Sequence, residues 1–320
     1  MSDVFGLVLP FFGLIFIGFV VARIARQPLE ALGWMNIFII YVALPALFFQ
    51  LLAKTPFEQL TEWGFILGSA FSTLIIFSTM FIGSMLVSRG EIAESTIKGF
   101  AASYGNIGYM GPGLALLAFG EQAAVPVALI FCFENVMHFI IAPLLMAVSG
   151  KEQTSLPQLV TDVLRKIFLH PFIIATFFGI AAAYFQIQPP QAVNLLLDYL
   201  ARAAAPCALF AMGVTLALRP LKRVPPELAP IVVLKLICQP LLCYVVLSWV
   251  GNFSETWMFS AVLLAALPSA TNVFVIAQQY NVWVQRASAS VLMTTCFSVI
   301  TVTCLLYMIR AGLLPPDLFP

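Results

Sequence analysis

Apolar residues run together along this chain, and the charged ones gather in the short stretches between. Runs near the roughly 20 residues that cross a bilayer core fall at 4–22, 31–53, 63–88, 97–119, 122–148, 168–186, 191–218, 228–250, 256–280 and 284–311. They predict ten transmembrane helices. Two of the ten are poor helices. Span 4 carries "YGNIGYMGPG" (104–113), with Gly105, Gly108, Gly111, Pro112 and Gly113 in its middle. Span 9 carries "ALPSATNVF" (266–274), with Pro268 near its centre. An interior glycine costs about 1 kcal/mol relative to alanine and a proline about 3. At membrane depth the freed backbone must be buried in protein or line a wet cavity.

The chain also matches itself at an offset of 161 residues: Pro10 with Pro171, Gly18 with Gly179, "QP" at 27–28 with "QP" at 188–189, and Pro45 with Pro206. "ALPALFF" (43–49) lies over "AAPCALF" (204–210), and the two broken stretches lie over each other. The expected organisation is a first five-helix repeat at 1–161 and a second at 162–320. Five is odd, so the second repeat is inverted, the plan of many secondary transporters. In that plan both breaks meet near the midplane and point half-helix N-termini, which are partly positive, at one place suited to an anion. Two proline kinks packed against neighbours are the plainer reading of the same residues.

Composition agrees with lipid as the solvent. Only 9% of residues are charged, against about 25% in soluble domains. Loops on one side hold Arg23, Arg26, Arg89, Lys98, Lys151, Arg165, Lys166, Arg219, Lys222, Arg223 and Arg286, while the other side holds only Lys54 and Arg310. The positive-inside rule then puts both termini outside the cytoplasm, and the plasma (inner) membrane is the expected location. The first run has no basic residue before it and is not expected to be a cleaved signal. A net charge of +1 offers nucleic acid no surface. The six cysteines all fall in spans without CxxC spacing and are expected to pack as small apolar groups, with no metal or disulfide role. No cofactor motif and no phosphate loop of the G-x-x-x-x-G-K-[ST] type is present. The two histidines, His138 and His170, come without G-x-S-x-G or H-E-x-x-H, so an intramembrane enzyme is not expected.

"GNIGYMGPG" and "LPSATNVFVIAQQY", with "LPALFFQLLAKTPF" (44–57) and "LKLICQPLL" (234–242), resemble the auxin efflux carrier family from end to end. The resemblance implies an all-α polytopic membrane protein with crossed broken helices 4 and 9. The same plan is found in Na⁺/H⁺ exchangers and bile acid carriers. It implies a scaffold of helices 1, 2, 6 and 7, a transport core of helices 3–5 and 8–10, an elevator-type alternating access and a homodimer joined through the scaffold. It further implies that Asn106 and Asn272 stand at the crossing. Only about twenty residues separate spans 5 and 6, unlike the long loop of plant auxin carriers, which favours a prokaryotic carrier of malonate, malate or similar acids.

Candidate site residues follow. Asn106 and Asn272 can donate to a carboxylate or cap exposed backbone. Gly108, Gly111, Pro112 and Pro268 shape the breaks, Ser269 and Thr271 are lesser donors, and Tyr104 and Tyr109 are cavity-lining candidates. Glu134 lies near the middle of span 5 in "LIFCFENVMHFIIAPLL". A carboxylate there costs about 2.5–3.5 kcal/mol on insertion scales, and His138 follows one turn later on the same face. The pair either couples transport to H⁺ or locks packing. Lys235 either snorkels to the interface or stabilises an anionic cavity. Asp198 and Arg202, one turn apart, read as an intrahelical ion pair. The expected function is secondary transport of small organic anions, with H⁺ as coupling ion and Na⁺ as the alternative; a membrane receptor without transport is the other reading.

Overall fold

A computed structural model describes residues 2–56, 61–87, 91–151, 155–187, 189–218 and 225–319. Arg89, Arg219, Lys222 and Arg223, which contribute to the orientation argument, and Gln188 of the second "QP" lie outside the described residues. Regular structure among the described residues is helical, apart from one antiparallel bridge between Gly105 and Ser269.

In chain order the helices are α1 (Ser2–Ala25), α2 (Leu29–Ala53), α3 (Trp63–Val87), α4 (Ile92–Ser103), α5 (Gly111–Phe119), α6 (Glu121–Val148), α7 (Leu156–Phe168), α8 (Pro171–Tyr184), α9 (Gln191–Leu218), α10 (Leu228–Val250), α11 (Glu255–Ala266), α12 (Thr271–Gln279) and α13 (Val284–Arg310). Among the described residues six of them, α2, α3, α6, α9, α10 and α13, are long and apolar enough to cross a membrane. Spans 4 and 9 of the sequence are each two helices with a break between: α4 and α5, and α11 and α12.

Proline explains two local features. α2 and α10 each contain a π turn, Ile39–Ala43 and Leu234–Cys238. Pro45 and Pro240 follow two residues after those turns. A proline ring collides with the carbonyl four residues back, here that of Tyr41 or Leu236, and a widened turn relieves the collision. α7 is absent from the sequence reading, which left 149–168 as a connection. Its apolar residues Leu156, Leu159, Val160, Val163, Leu164 and Ile167 repeat at helical spacing. Ser155 starts it, its N–H (3.3 Å) and Oγ (2.9 Å) both donating to Gln158 Oε1, in the manner of a capping box.

The chain divides into two compact units. Unit 1 comprises Met1–Trp63, Gly108–Cys132 and Phe168–Pro220. Its helices meet backbone to backbone. A Cβ on Gly18 of α1 would strike the Phe210 carbonyl of α9, and one on Gly213 of α9 would strike the Ile15 carbonyl of α1. Gly179 of α8 does the same work against α2, where a Cβ would stand 3.2 Å from Phe49 O. Phe48, Phe131 and Phe172 fill the space beside them, with ring centroids 4.0 to 5.4 Å apart.

Unit 2 comprises Gly64–Ile107, Phe133–Ile167 and Leu221–Pro320. Ile97, Phe100, Leu228, Ile231, Val273, Ala277 and Val291 belong to its buried core. At the starts of α4, α10 and α13, Lys98 pairs with Glu94 (2.6 Å) and Glu227 (3.7 Å), and Arg286 pairs with Glu227 (2.9 Å).

Candidate functional site

The two breaks complete each other. α4 stops where Tyr104 turns extended, just before Gly105. α11 stops at Leu267, also extended, because the residue before a proline is pushed out of the helical region. The Asn106 N–H then donates to Pro268 O, and the Ala270 N–H donates to Tyr104 O, both at 2.8 Å. Backbone that water cannot reach is thereby satisfied by the other break.

Side chains finish the joint. Ser269, fully buried, donates from Oγ to Ala101 O (2.6 Å) and from its N–H to Thr294 Oγ1 (3.1 Å). Asn272, in the first turn of α12, donates from Nδ2 to Tyr104 Oη (2.9 Å). Tyr104 in turn donates to Asn135 Oδ1 (2.5 Å). The Tyr104 ring lies flat on His138, with centroids 3.8 Å apart and planes 6° apart. His138 Nδ1 is 2.5 Å from the Glu134 backbone oxygen. A carbonyl only accepts, so Nδ1 carries a proton; among the described residues Nε2 is buried without a hydrogen-bond partner.

A second network starts at the Glu134 carboxylate. Ser69 Oγ (3.1 Å) and Thr73 Oγ1 (3.0 Å), both on α3, donate to Glu134 Oε1. Gln239 Nε2 donates to Thr73 Oγ1 (3.2 Å) and to Ser103 O (2.9 Å) at the end of α4. Lys235 Nζ donates to Gln239 Oε1 (2.7 Å) and to Ala265 O (2.7 Å) at the end of α11. Lys235 has 0% of its surface exposed, so it does not snorkel. The carboxylate and the ammonium thus stand at opposite ends of one hydrogen-bonded chain through α3 and α10.

Of the residues singled out in the sequence, Tyr104, Asn106, Glu134, His138, Lys235, Pro268, Ser269, Thr271 and Asn272 all fall in unit 2. Gly108, Tyr109, Gly111 and Pro112 fall in unit 1, where a Cβ on Gly108 would press on the Phe131 ring. Glu134 and His138 share a helix face, yet the carboxylate faces Ser69 and Thr73 while the imidazole takes the Glu134 carbonyl. Asp198 and Arg202 pair at 2.8 Å, on unit 1. Ser69, Thr73 and Gln239 carry much of the site and were missed by the sequence reading. The signal was available: Ser69, Ser72 and Thr73 repeat at i, i+3, i+4, and Gln239 lies one turn beyond Lys235.

Helices of crossing length with ionisable side chains gathered at paired helix breaks make an integral membrane protein built around an internal polar site. Comparison with known families gives the class a name. The model of the family described as "Membrane transport protein" matches residues 3–306. The chain belongs to this family, that of the auxin efflux carriers, and is a membrane transporter. It is 58% identical over 320 residues, all of both chains, to the "Putative malonate transporter" of Rhizobium meliloti (strain 1021). It is 24% identical over 297 residues to the "Uncharacterized transporter" of Methanothermobacter thermautotrophicus, covering 90% of this chain and 92% of that one. To the "Uncharacterized transporter YfdV" of Escherichia coli (strain K12) it is 25% identical over 224 residues, 68% of this chain and 69% of that one.

Proposed function

We propose that this protein is a secondary carrier of small organic anions, with malonate-like dicarboxylates first among them. The observation that carries the reading is the joint of two helix breaks with a buried ionisable network on it. The name of the Rhizobium relative supplies the substrate class. Asn272, Asn106 and Thr271 are the ligand donors of this reading, at the start of α12 and in the facing break. Ser269 serves as a cap, since its hydroxyl is already given to Ala101 O.

In this reading H⁺ is the coupling ion and Glu134 its carrier. With Lys235 charged, an ionised Glu134 leaves the network neutral. Protonation leaves one net positive charge, which an anion balances. Proton and substrate then favour one another's binding, and that coupling is reciprocal.

The ten-span inverted repeat belongs to the same proposal. Gly18 and Gly179, equivalent at the offset of 161, do the same job: one packs span 1 on span 7, the other packs span 6 on span 2. Helices 1, 2, 6 and 7 of the sequence, all in unit 1, are the scaffold of a homodimer, and helices 3–5 and 8–10 carry substrate by an elevator-type alternating access. Clustering of Lys98 and Arg286 at one end of unit 2 supports a cytoplasmic end there, with both termini on the other side.

The test is uptake of labelled malonate into proteoliposomes, with and without an inward proton gradient. The expected result is accumulation under the gradient and equilibration without it. A protein that binds malonate and moves none is the receptor of the alternative reading.

A further inference from the structure

The last turn of a helix leaves carbonyls without helical partners and carries about half a negative charge. Unit 2 brings two such ends to one pair of side chains. Gln239 meets the end of α4 at Ser103 O, and Lys235 meets the end of α11 at Ala265 O. The two side chains meet each other at 2.7 Å. Fully buried, Lys235 has exchanged water for a main-chain carbonyl at the end of α11 and an amide oxygen whose own NH₂ group holds the end of α4. Gly105 makes the room. A Cβ there would stand 3.3 Å from Lys235 Nζ and 3.3 Å from Leu264 O.

Unwound carbonyls and half-helix C-terminal ends are the groups that coordinate Na⁺ or H⁺ in secondary transporters. Here a side chain holds that place. A lysine ammonium is a compact point charge with three donors, so it suits oxygens arranged for a small monovalent cation. It stands in the π turn of α10, and such turns recur at functional positions. Glu134 sits further along the same hydrogen-bonded chain and supplies a balancing negative charge.

We propose that Lys235 is a tethered cation: its ammonium fills a monovalent-cation site between the C-terminal ends of α4 and α11, and frees this protein from any need for Na⁺. The consequence for transport rests on the carrier reading above. The cation site itself does not.

The test uses the full chain, purified in detergent, with thermal unfolding followed in NaCl, choline chloride and ethylammonium chloride at equal ionic strength. The parent should unfold at one temperature in all three. So should Lys54→Ala, which removes an exposed lysine of unit 1. Lys235→Ala empties the site and should unfold several degrees lower in choline. Na⁺ or ethylammonium should restore at least half of that loss by entering the vacated space. Lys235→Met refills the space without charge and should stay low in every salt. No loss for Lys235→Ala in choline, or an equal loss in all three salts, overturns the proposal. If Lys235→Ala yields no folded protein in any salt, the parent decides. A rise of its unfolding temperature with Na⁺ overturns the proposal, and an unchanged temperature together with equal malonate uptake in NaCl and choline sustains it. Uptake separates the two readings. A Na⁺-rescued Lys235→Ala beside an inactive parent defeats the carrier reading alone, and an active parent beside a Lys235→Ala blind to Na⁺ defeats the cation site alone.

Discussion

Among the described residues, Thr55 is the one buried polar side chain of unit 1, and every other buried polar or charged side chain belongs to unit 2. Unit 1 is held by glycines that let helix backbones touch and by phenylalanines packed edge to face. In lipid, apolar contacts between helices gain little from the hydrophobic effect, so close backbone packing and interhelical hydrogen bonds do the holding. Unit 1 relies mainly on the first, with Gln50 Nε2 donating to Asn194 O between two of its helices, and unit 2 adds the second to its apolar core. Packing by contact alone gives a body with one good arrangement. A buried polar network has alternatives, because donors and acceptors exchange partners. The division of labour proposed above, scaffold against moving core, builds on that difference.

The largest effect is expected where unit 1 has no slack. Gly213→Val puts side-chain atoms on the Ile15 carbonyl, and backbone cannot yield as a side-chain tip does. Overpacking typically costs 1–3 kcal/mol and occasionally more; about 3 kcal/mol or more is expected here. Gly13→Ala on the same α1 meets nothing within 4 Å and should be neutral, or gain up to about 1 kcal/mol in helix propensity. Thermal unfolding of the two purified variants checks this. Similar values for both would mean that unit 1 is not held as described.

A smaller effect, of another kind, is expected in unit 2. Glu134→Gln keeps an oxygen for Ser69 and Thr73 and should fold normally. What it removes is the exchangeable proton. If one proton enters with the anion, parent affinity for malonate should improve by up to about tenfold for each pH unit lowered, about 1.4 kcal/mol, over a range where the charge of malonate is constant. The variant's affinity should be flat across that range. It should still support malonate exchange while losing accumulation under a proton gradient. A variant that concentrates malonate as well as the parent would return Glu134 to a packing role and blunt the contrast between the units.

Much of the site was visible in the sequence because it breaks local rules. Gly105, Gly108 and Pro268 cannot sustain a helix, so the breaks were legible, and the offset of 161 set them opposite one another. Glu134 and His138 stood out because charge at a helix centre is costly. The partners were not legible. Thr73 and Gln239 are 166 residues apart in the chain, and small hydroxyls on a membrane helix can satisfy themselves on their own backbone, as Ser72 does on Ser69 O. Nothing local says which of them will face a carboxylate. Lys235 was ambiguous for the same reason: its direction depends on where Ala265 comes to rest. α7 was overlooked for a different one. A search for crossing lengths passes over a helix of thirteen residues.

The smallest expected effect concerns the neutral half of the site. Tyr104 Oη both accepts from Asn272 and donates to Asn135. Tyr104→Phe removes both bonds and keeps the ring on His138. Asn272→Ala removes one of them. Asn272→Ala should cost about 1 kcal/mol of stability, the usual worth of a neutral hydrogen bond, and Tyr104→Phe up to about 2 kcal/mol. Because the two changes share one bond, the double variant should lose less than their sum. Malonate binding separates bracing from ligation. If Asn272 only braces Tyr104, neither change should alter the affinity. If Asn272 is a ligand donor held by Tyr104 until substrate arrives, the two changes should act in opposite directions. Asn272→Ala should then weaken malonate binding, whereas Tyr104→Phe, by freeing the Asn272 amide, should tighten it by up to about 1 kcal/mol. Calorimetric titration of the single variants with malonate reads this directly. Weaker binding in both would show that the amide must be held in place by the phenol to be useful, and unit 2 would then be as rigid at this point as unit 1.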